Sequence, residues 1–261
     1  MNIYISITSI YQKQQYLLQT LTSIKEQTQK FDHCYIYLSE YPYLFDCGFR
    51  DRIITNKKLY LFLKYNSDLF SVIWTENTGP YRKLLPLLTD KQKEDCIIIT
   101  ADDDTVYDKN MIFEYINQYK IHNCCIAGRC YTMDRINYIN DIEYDQPMNT
   151  IQKYKYNFHT GKGGVLYHPK FFKNSMKLLL SNNLYRIYCT TTDDVWFNFN
   201  RIINNVDCYI TNKNYATIDL TQDYSLYLNI NSKKDYIYNE NQNTIAMKLT
   251  SKLFQYLGYS I

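Results

Sequence analysis

The first hundred or so residues alternate two hydrophobic periods, and that alternation limits the fold more than any other feature. Asn2 to Thr8 spaces Ile3, Ile5 and Ile7 two apart, as a strand does. Gln14 to Gln29 then places Leu17, Leu18, Leu21 and Ile24 at helical spacing. His33 to Leu38 and Phe70 to Trp74 read as further strands, Tyr81 to Leu88 as a short helix, Cys96 to Thr100 as a fourth strand, and Lys109 to Tyr119 as a helix. Parallel strands need crossovers that cover both faces of their sheet, so this order predicts an α/β fold with a mostly parallel sheet. In such sheets the sites lie in loops at the carboxyl ends of the strands.

The second half is less regular. Cys124 to Arg129 and Gly163 to Tyr167 read as strands, with polar, loop-like sequence from Tyr131 to Thr160 between them. Pro169 to Leu180, Asp193 to Ile203 and Thr244 to Leu257 read as helices. No repeat, low-complexity linker or composition break divides the chain, so one domain is the economical reading. Seven glycines, five prolines and 16% aromatic residues exclude collagen-like and disordered classes. A formal charge of +3, spread along the chain, gives no basis for nucleic-acid binding. No apolar run approaches the roughly 20 residues of a membrane span. The N-terminus lacks the basic start of a signal peptide. The eight cysteines show no C-x-x-C pair, so reduced thiols in a cytoplasm, or a host's cytoplasm if the chain is viral, are expected. The 29 tyrosines suit an A- and T-rich coding sequence; Tyr11, Tyr81 and Tyr167 fall beside site blocks, where they could stack on a base or sugar.

Four segments carry chemistry. Cys96 to Asp104 runs an apolar strand straight into three carboxylates, which must fan into solvent or share a cation. Asp102 and Asp104, on one side of an extended segment, suit Mg²⁺ or Mn²⁺; the plain alternative is a solvated turn before the next helix. Gly79 to Pro86 places Arg82 and Lys83 at a helix start, where a bound anion would offset the dipole; the alternative is a basic loop. Gly161 to Tyr167 holds three of the seven glycines, implying a bulged turn or close approach to a ligand. Asp193 and Asp194 open a helix, either as a cap or as a general base beside a pocket.

In this order the blocks resemble the GT-A-fold glycosyltransferases, nearest to family-2-like proteins with the pattern G-P-x-x-K-L-L-P, D-D-D, G-x-G-G-V-L-Y, D-D-V-W. They span roughly Ile3 to Phe199. The resemblance implies a Rossmann-like, mostly parallel mixed sheet sandwiched by helices in a single domain, residues 1–261. Residues 1–105 or so would bind a nucleotide sugar, a UDP-sugar favoured, and the rest would shape the acceptor side. It implies a metal-dependent inverting transferase acting on a glycan, protein or lipid hydroxyl.

The resemblance also assigns residues. Asp104 would ligate Mn²⁺ or Mg²⁺ at the diphosphate, with Asp102 beside it near the ribose or metal waters and Asp103 on the donor. Thr8, Ser9, Tyr11, Ser39 and Glu40 would flank the base, and Gly79, Arg82 and Lys83 would face the donor. Gly161, Gly163, Gly164 and Trp196 would shape the sugar and acceptor pocket. Asp194, or else Asp193, would be the base. Some relatives add a late histidine ligand; here the last is His168, so it or His159 is the candidate. Ser39-Glu40 replaces the usual acidic pair, which leaves base specificity open. The rival enzyme is a nucleotidyltransferase, which commonly has a richer glycine and basic loop after its first strand than Thr8 to Lys13. An inactive sugar-binding or scaffold protein is the non-enzymatic alternative.

Overall fold

The structure, a computed structural model, describes residues 1–132, 151–238 and 240–261. Most of the segment read as loop between Tyr131 and Thr160 lies outside the described residues. Its described ends form strands: β7 (Cys130–Thr132), β8 (Lys153–Tyr154) and β9 (Asn157–His159).

The predicted strands form the sheet's parallel side. β1 (Asn2–Thr8), β2 (His33–Leu38), β3 (Phe70–Trp74) and β4 (Cys96–Ala101) pair in the order β3-β2-β1-β4. Ile5 of β1 lies opposite Cys34 on one side and Ile99 on the other. All six residues of β4 are buried, which is why this strand is continuously apolar rather than alternating. Beyond β4 the sheet changes direction. β10 (Val165–Tyr167) runs antiparallel between β4 and β6 (Cys125–Ala127), followed by β11 (Cys208–Ile210) and β8. The result is an eight-stranded, mostly parallel mixed sheet in an α/β domain, as expected.

Tertiary contacts reset several helix boundaries. α1 (Gln14–Lys25) stops short of Gln29. The Gln27 side chain instead donates to Asp108 O and accepts from Ile112 N, tying the chain to the start of α4 (Met111–His122). α2 (Lys57–Tyr65) begins at an Asn56 cap and was not anticipated. The helix expected at Tyr81 to Leu88 splits into a 3-10 turn, Gly79–Lys83, and α3 (Leu85–Lys91). Pro86 explains the break: it has no N–H and its ring would clash with a preceding helical turn. Pro169 to Leu180 likewise divides into a 3-10 turn, Pro169–Phe172, and α5 (Met176–Leu179). α6 (Asn182–Tyr188), α7 (Asp193–Ile203) and α8 (Gln242–Tyr256) complete the helices used below. β5 (Thr105–Tyr107) pairs with β12 (Ala216–Asp219), bringing the late chain back to the acidic turn.

All eight cysteines are free, and only Cys47 is exposed. Among the described residues, no helix is long and apolar enough to cross a membrane.

Candidate functional site

The carboxyl ends of β1 and β4 open into a cavity of about 520 Å³. Its other walls are the Gly161 turn, the start of α7 and the segment from Asp219 to Asn231. Of the predicted residues, Thr8, Ser9, Asp102, Asp103 and Asp104 line it, as do Gly79, Arg82, Lys83, Gly161, Asp193 and Asp194.

One end is built on a buried ion pair. Arg82 is 1% exposed, and its guanidinium donates to Asp46 Oδ2 (3.0 Å), Ser39 Oγ (2.7 Å) and Gly79 O (3.1 Å). Asp46 also accepts from Tyr11 N, Gly48 N and Asn77 Nδ2. Arg82 and Lys83 thus lie in a 3-10 turn rather than in the first turn of a regular helix. They close the 3-10 turn, and their anions are the protein's own carboxylates. Tyr81 sets their directions: its buried ring stacks on Tyr185 at 4.0 Å, and its hydroxyl donates to Cys189 O.

Lys83 is the hub of the second end. Its Nζ lies 3.3 Å from Asp102 Oδ1 and 3.0 Å from Asp193 Oδ2. The latter contact is an ion pair off the hydrogen-bonding direction, because Asp193 Oδ2 is buried without an aligned donor. Burial opposes the ammonium, but Asp102, Asp193 and Asp194 outweigh it and raise the lysine's pKa. Gly161 makes the assembly possible: a Cβ there would sit 2.5 Å from Lys83 Nζ and within 3.5 Å of Asp194 Oδ1. Gly161 N donates to Asp194 Oδ2 at 3.1 Å. Burial, then the charge of Asp193, lifts the Asp194 carboxyl to about 7, with Lys83 opposing. The Asp193 carboxyl is also raised, chiefly by burial.

The start of α7 is fixed from behind. Thr192 occupies the cap position, so Asp193 and Asp194 are first-turn residues that suit the dipole rather than caps. Asn198, one turn on, donates to Asp194 O and His159 O and accepts from His159 N. These bonds hold the two carboxylates against the glycine turn.

The third element is the turn after β4. Asp102 N donates to the buried Tyr107 hydroxyl, which orients the turn. Lys13, 8% exposed, places Nζ 2.6 Å from Asp104 Oδ2 and 3.6 Å from Asp103 Oδ1. Ser9 Oγ donates to Asp103 Oδ2 at 2.5 Å. Burial, then the Asp103 charge, lifts the Asp104 carboxyl to about 6 against the pull of Lys13.

Several predicted residues lie elsewhere. Trp196 is fully buried; its indole donates to Leu179 O and packs edge-on against Phe254, so it anchors α7 rather than lining the pocket. His168 bonds Asp95, which precedes β4, whereas the acidic turn follows it. A six-residue strand is about 20 Å long, so His168 cannot share an ion with Asp104. His159 is buried, faces Tyr167, and burial lowers its pKa to about 3. Glu40 pairs with Arg52 on the surface, and Ser39 is taken up by Arg82 and Thr75 O. Gly163 and Gly164 sit behind the pocket, where Gly163 packs on Gly128 so closely that a Cβ would meet its backbone at 2.9 Å. Tyr81 and Tyr167 are core residues, and Tyr11 packs on Phe49. The cavity's tyrosines are instead Tyr43, Tyr131 and Tyr224.

The sequence reading missed Lys13, Asp46, Arg129 and the Asp219-to-Asn231 wall. Lys13 had a readable signal, a lone cation just after a strand end. The partner of Asp46 is 36 residues away, and no local pattern points to it.

The implied divalent cation can be tested against the donor set. Seven carboxylates and five cations line the cavity among the described residues, a surplus of two negative charges when all are ionised. Asp102 and Asp104 offer the hard oxygens that Mg²⁺ and Mn²⁺ favour, and burial, with the neighbouring Asp103 charge, raises Asp104, a penalty that added positive charge would relieve. These residues fit such an ion in chemistry. Among the described residues, no group of three or more His, Cys, Asp or Glu forms a ligand shell. Phosphate and water oxygens would therefore have to complete the coordination.

No protein-family model and no curated protein matches the chain. Solved structures do. The Staphylococcus aureus TarS fragment 1–349 superposes with a TM-score of 0.53 at 15% identity, covering 82% of this chain and 59% of that one. The same fragment in complex with UDP-GlcNAc gives 0.53 at 15%, covering 86% and 62%. The 4-diphosphocytidyl-2C-methyl-D-erythritol synthase of Anaerococcus prevotii gives 0.52 at 13%, covering 85% and 94%. The chain thus spans about three-fifths of the TarS fragment's length. At these identities the likeness concerns the fold alone, and that fold is of the GT-A type.

Proposed function

We propose that the protein is a glycosyltransferase that moves a sugar from a nucleotide-sugar donor to an acceptor hydroxyl with inversion. Asp194 is the general base. One observation carries the reading. A carboxyl lifted to about 7 stands beside the Lys83 hub, in the cavity at the carboxyl ends of β1 and β4. A base poised near the working pH combines the ionised form with enough basicity to take a proton. The TarS fragment described with UDP-GlcNAc makes a UDP-sugar the first donor to try.

In the mechanism, Asp194 accepts the proton of an acceptor hydroxyl as that oxygen attacks the anomeric carbon. The nucleoside diphosphate leaves from the opposite face, so one displacement inverts the configuration. Lys83 supplies fixed positive charge beside the reacting centre, where a low-dielectric cavity strengthens it. Gly161 N orients the Asp194 carboxylate and leaves Oδ1 for the acceptor. A divalent cation held through Asp104 and Asp102 would supply further charge to the departing diphosphate.

A nucleotidyltransferase is the second reading, favoured by the likeness that spans 94% of the A. prevotii synthase. One screen separates the two. Melting temperature and turnover are measured with UDP-, GDP- and other activated sugars, with and without Mn²⁺, and in parallel with nucleoside triphosphates plus sugar phosphates. A shift and free nucleoside diphosphate with activated sugars support the transferase. Pyrophosphate release without any activated-sugar response overturns it.

A further inference from the structure

We infer that Lys13 guards the candidate cation site. Its ammonium occupies Asp103 and Asp104 until the donor diphosphate and a divalent cation arrive together, so that the two bind cooperatively. The inference rests on the transferase reading above and concerns how that cavity fills.

Lys13 closes the 3-10 turn Tyr11–Lys13 that leads into α1, and its backbone N donates to Ile10 O. The short turn delivers its Nζ between two successive carboxylates, 2.6 Å from Asp104 and 3.6 Å from Asp103. An ammonium has three donors and no acceptor, so it neutralises these groups yet offers an incoming ion no ligand. The two carboxylates are not equally bound. Ser9 holds Asp103 Oδ2. Among the described residues, the Asp104 carboxylate is hydrogen-bonded by Lys13 alone, while Leu220 N fixes its backbone carbonyl. Asp104 is therefore the oxygen donor an ion could win, and Lys13 is its competitor.

Charge sets the order of filling. With Asp102 already paired to Lys83, the groups Asp103, Asp104 and Lys13 together carry one negative charge. A divalent cation alone turns the group positive and presses two cations onto one pair of carboxylates. A diphosphate alone makes it more negative still. Both together restore the original charge, and the freed ammonium gains phosphate oxygens in place of Asp104. Like charges a few ångströms apart repel strongly in a buried site. Each ligand must therefore favour the other, by the same factor in both directions.

The test measures Mn²⁺ binding by the free-ion electron paramagnetic resonance signal, with and without UDP, and UDP binding by calorimetry, with and without Mn²⁺. For the wild type, each ligand should tighten the other by about 5–150-fold, the usual range of such coupling. Lys13→Met and Lys13→Gln should bind Mn²⁺ alone about tenfold more tightly than wild type and show a smaller coupling factor. Lys13→Arg should keep the wild-type pattern, and melting curves confirm that the variants are folded. Mn²⁺ affinity unchanged in both neutral variants overturns the guard role, as does a wild-type Mn²⁺ affinity indifferent to UDP. Failure of UDP to bind under every condition instead removes the transferase reading on which the inference stands.

Discussion

Arg82 and Lys83 are neighbours in sequence and serve opposite ends of one cavity. The carboxylate facing Arg82 is saturated: Asp46 accepts from Arg82, Tyr11, Gly48 and Asn77. The carboxylates facing Lys83 are not. Asp193 Oδ2 has no aligned donor, and Asp194 receives one backbone N–H. A carboxylate with every lone pair occupied, opposite a bonded guanidinium, has nothing left to offer a substrate and serves as scaffold. One that shares a single ammonium with two others keeps both a high proton affinity and open lone pairs. The difference between wall and proposed reactive centre thus lies in hydrogen-bond satisfaction and in exposure: the Arg82 and Asp46 side chains are 1% and 2% exposed, those of Lys83 and Asp102 11% and 28%.

The largest expected effect lies at the reactive end. Asp194→Asn should lower turnover by about 10²–10⁴-fold while leaving UDP affinity in place. Normal turnover in that variant would transfer the base role to Asp193. In the wild type, turnover should rise with pH through about 7 as the carboxyl ionises. Stability should move the other way. Between the ordinary carboxyl value of 3.8 and about 7, the folded state holds a proton that the unfolded state has released, so stability falls as pH climbs. Melting curves across that window should flatten in Asp194→Asn relative to wild type, and identical slopes would contradict the assignment.

Next comes the saturated end. Arg82→Met leaves Asp46 buried without its cation and should cost about 3–5 kcal/mol in denaturant unfolding. A loss well under 1 kcal/mol would show that Asp46 has another route to neutrality. Lys83→Met sharpens the contrast. Its destabilisation should be milder at pH 5 than at pH 8, because the carboxylates it faces can take up protons. A pH-independent loss would mean that the lysine acts mainly by packing. The smallest effect belongs to Glu40. Breaking its pair with the exposed Arg52 by Glu40→Ala should cost about 0–1 kcal/mol and leave UDP binding unchanged. A loss of UDP affinity there would return Glu40 to the donor site.

Legibility in the sequence followed the range of the interactions. The four parallel strands were readable from their strand-length apolar segments, alternating as in Asn2 to Thr8 or continuous as in Cys96 to Ile99, where the strand is buried on both faces. The acidic turn and the Asp193–Asp194 helix start were readable because unusual residues adjoin within each. The antiparallel insertion of β10 was not, since direction is set by pairing with Thr100 and Ala127 rather than by composition. Trp196 was misread as pocket for a related reason. Local sequence places it two residues from Asp194, but on a helix that spacing turns a side chain by about 200°, to the opposite face, and Trp196 points to Leu179 and Phe254.

By itself, then, the chain's order of apolar runs and acidic blocks determined an α/β sheet and which loops end in carboxylates, because strand and helix periods are local properties. Only the tertiary structure decided which carboxylates are saturated, which share Lys83, and that Lys13 stands at the acidic turn. The ion pairs among them join residues 19 to 110 positions apart. Charge neutralisation in a buried cavity depends on distance in space, and the fold alone sets that distance.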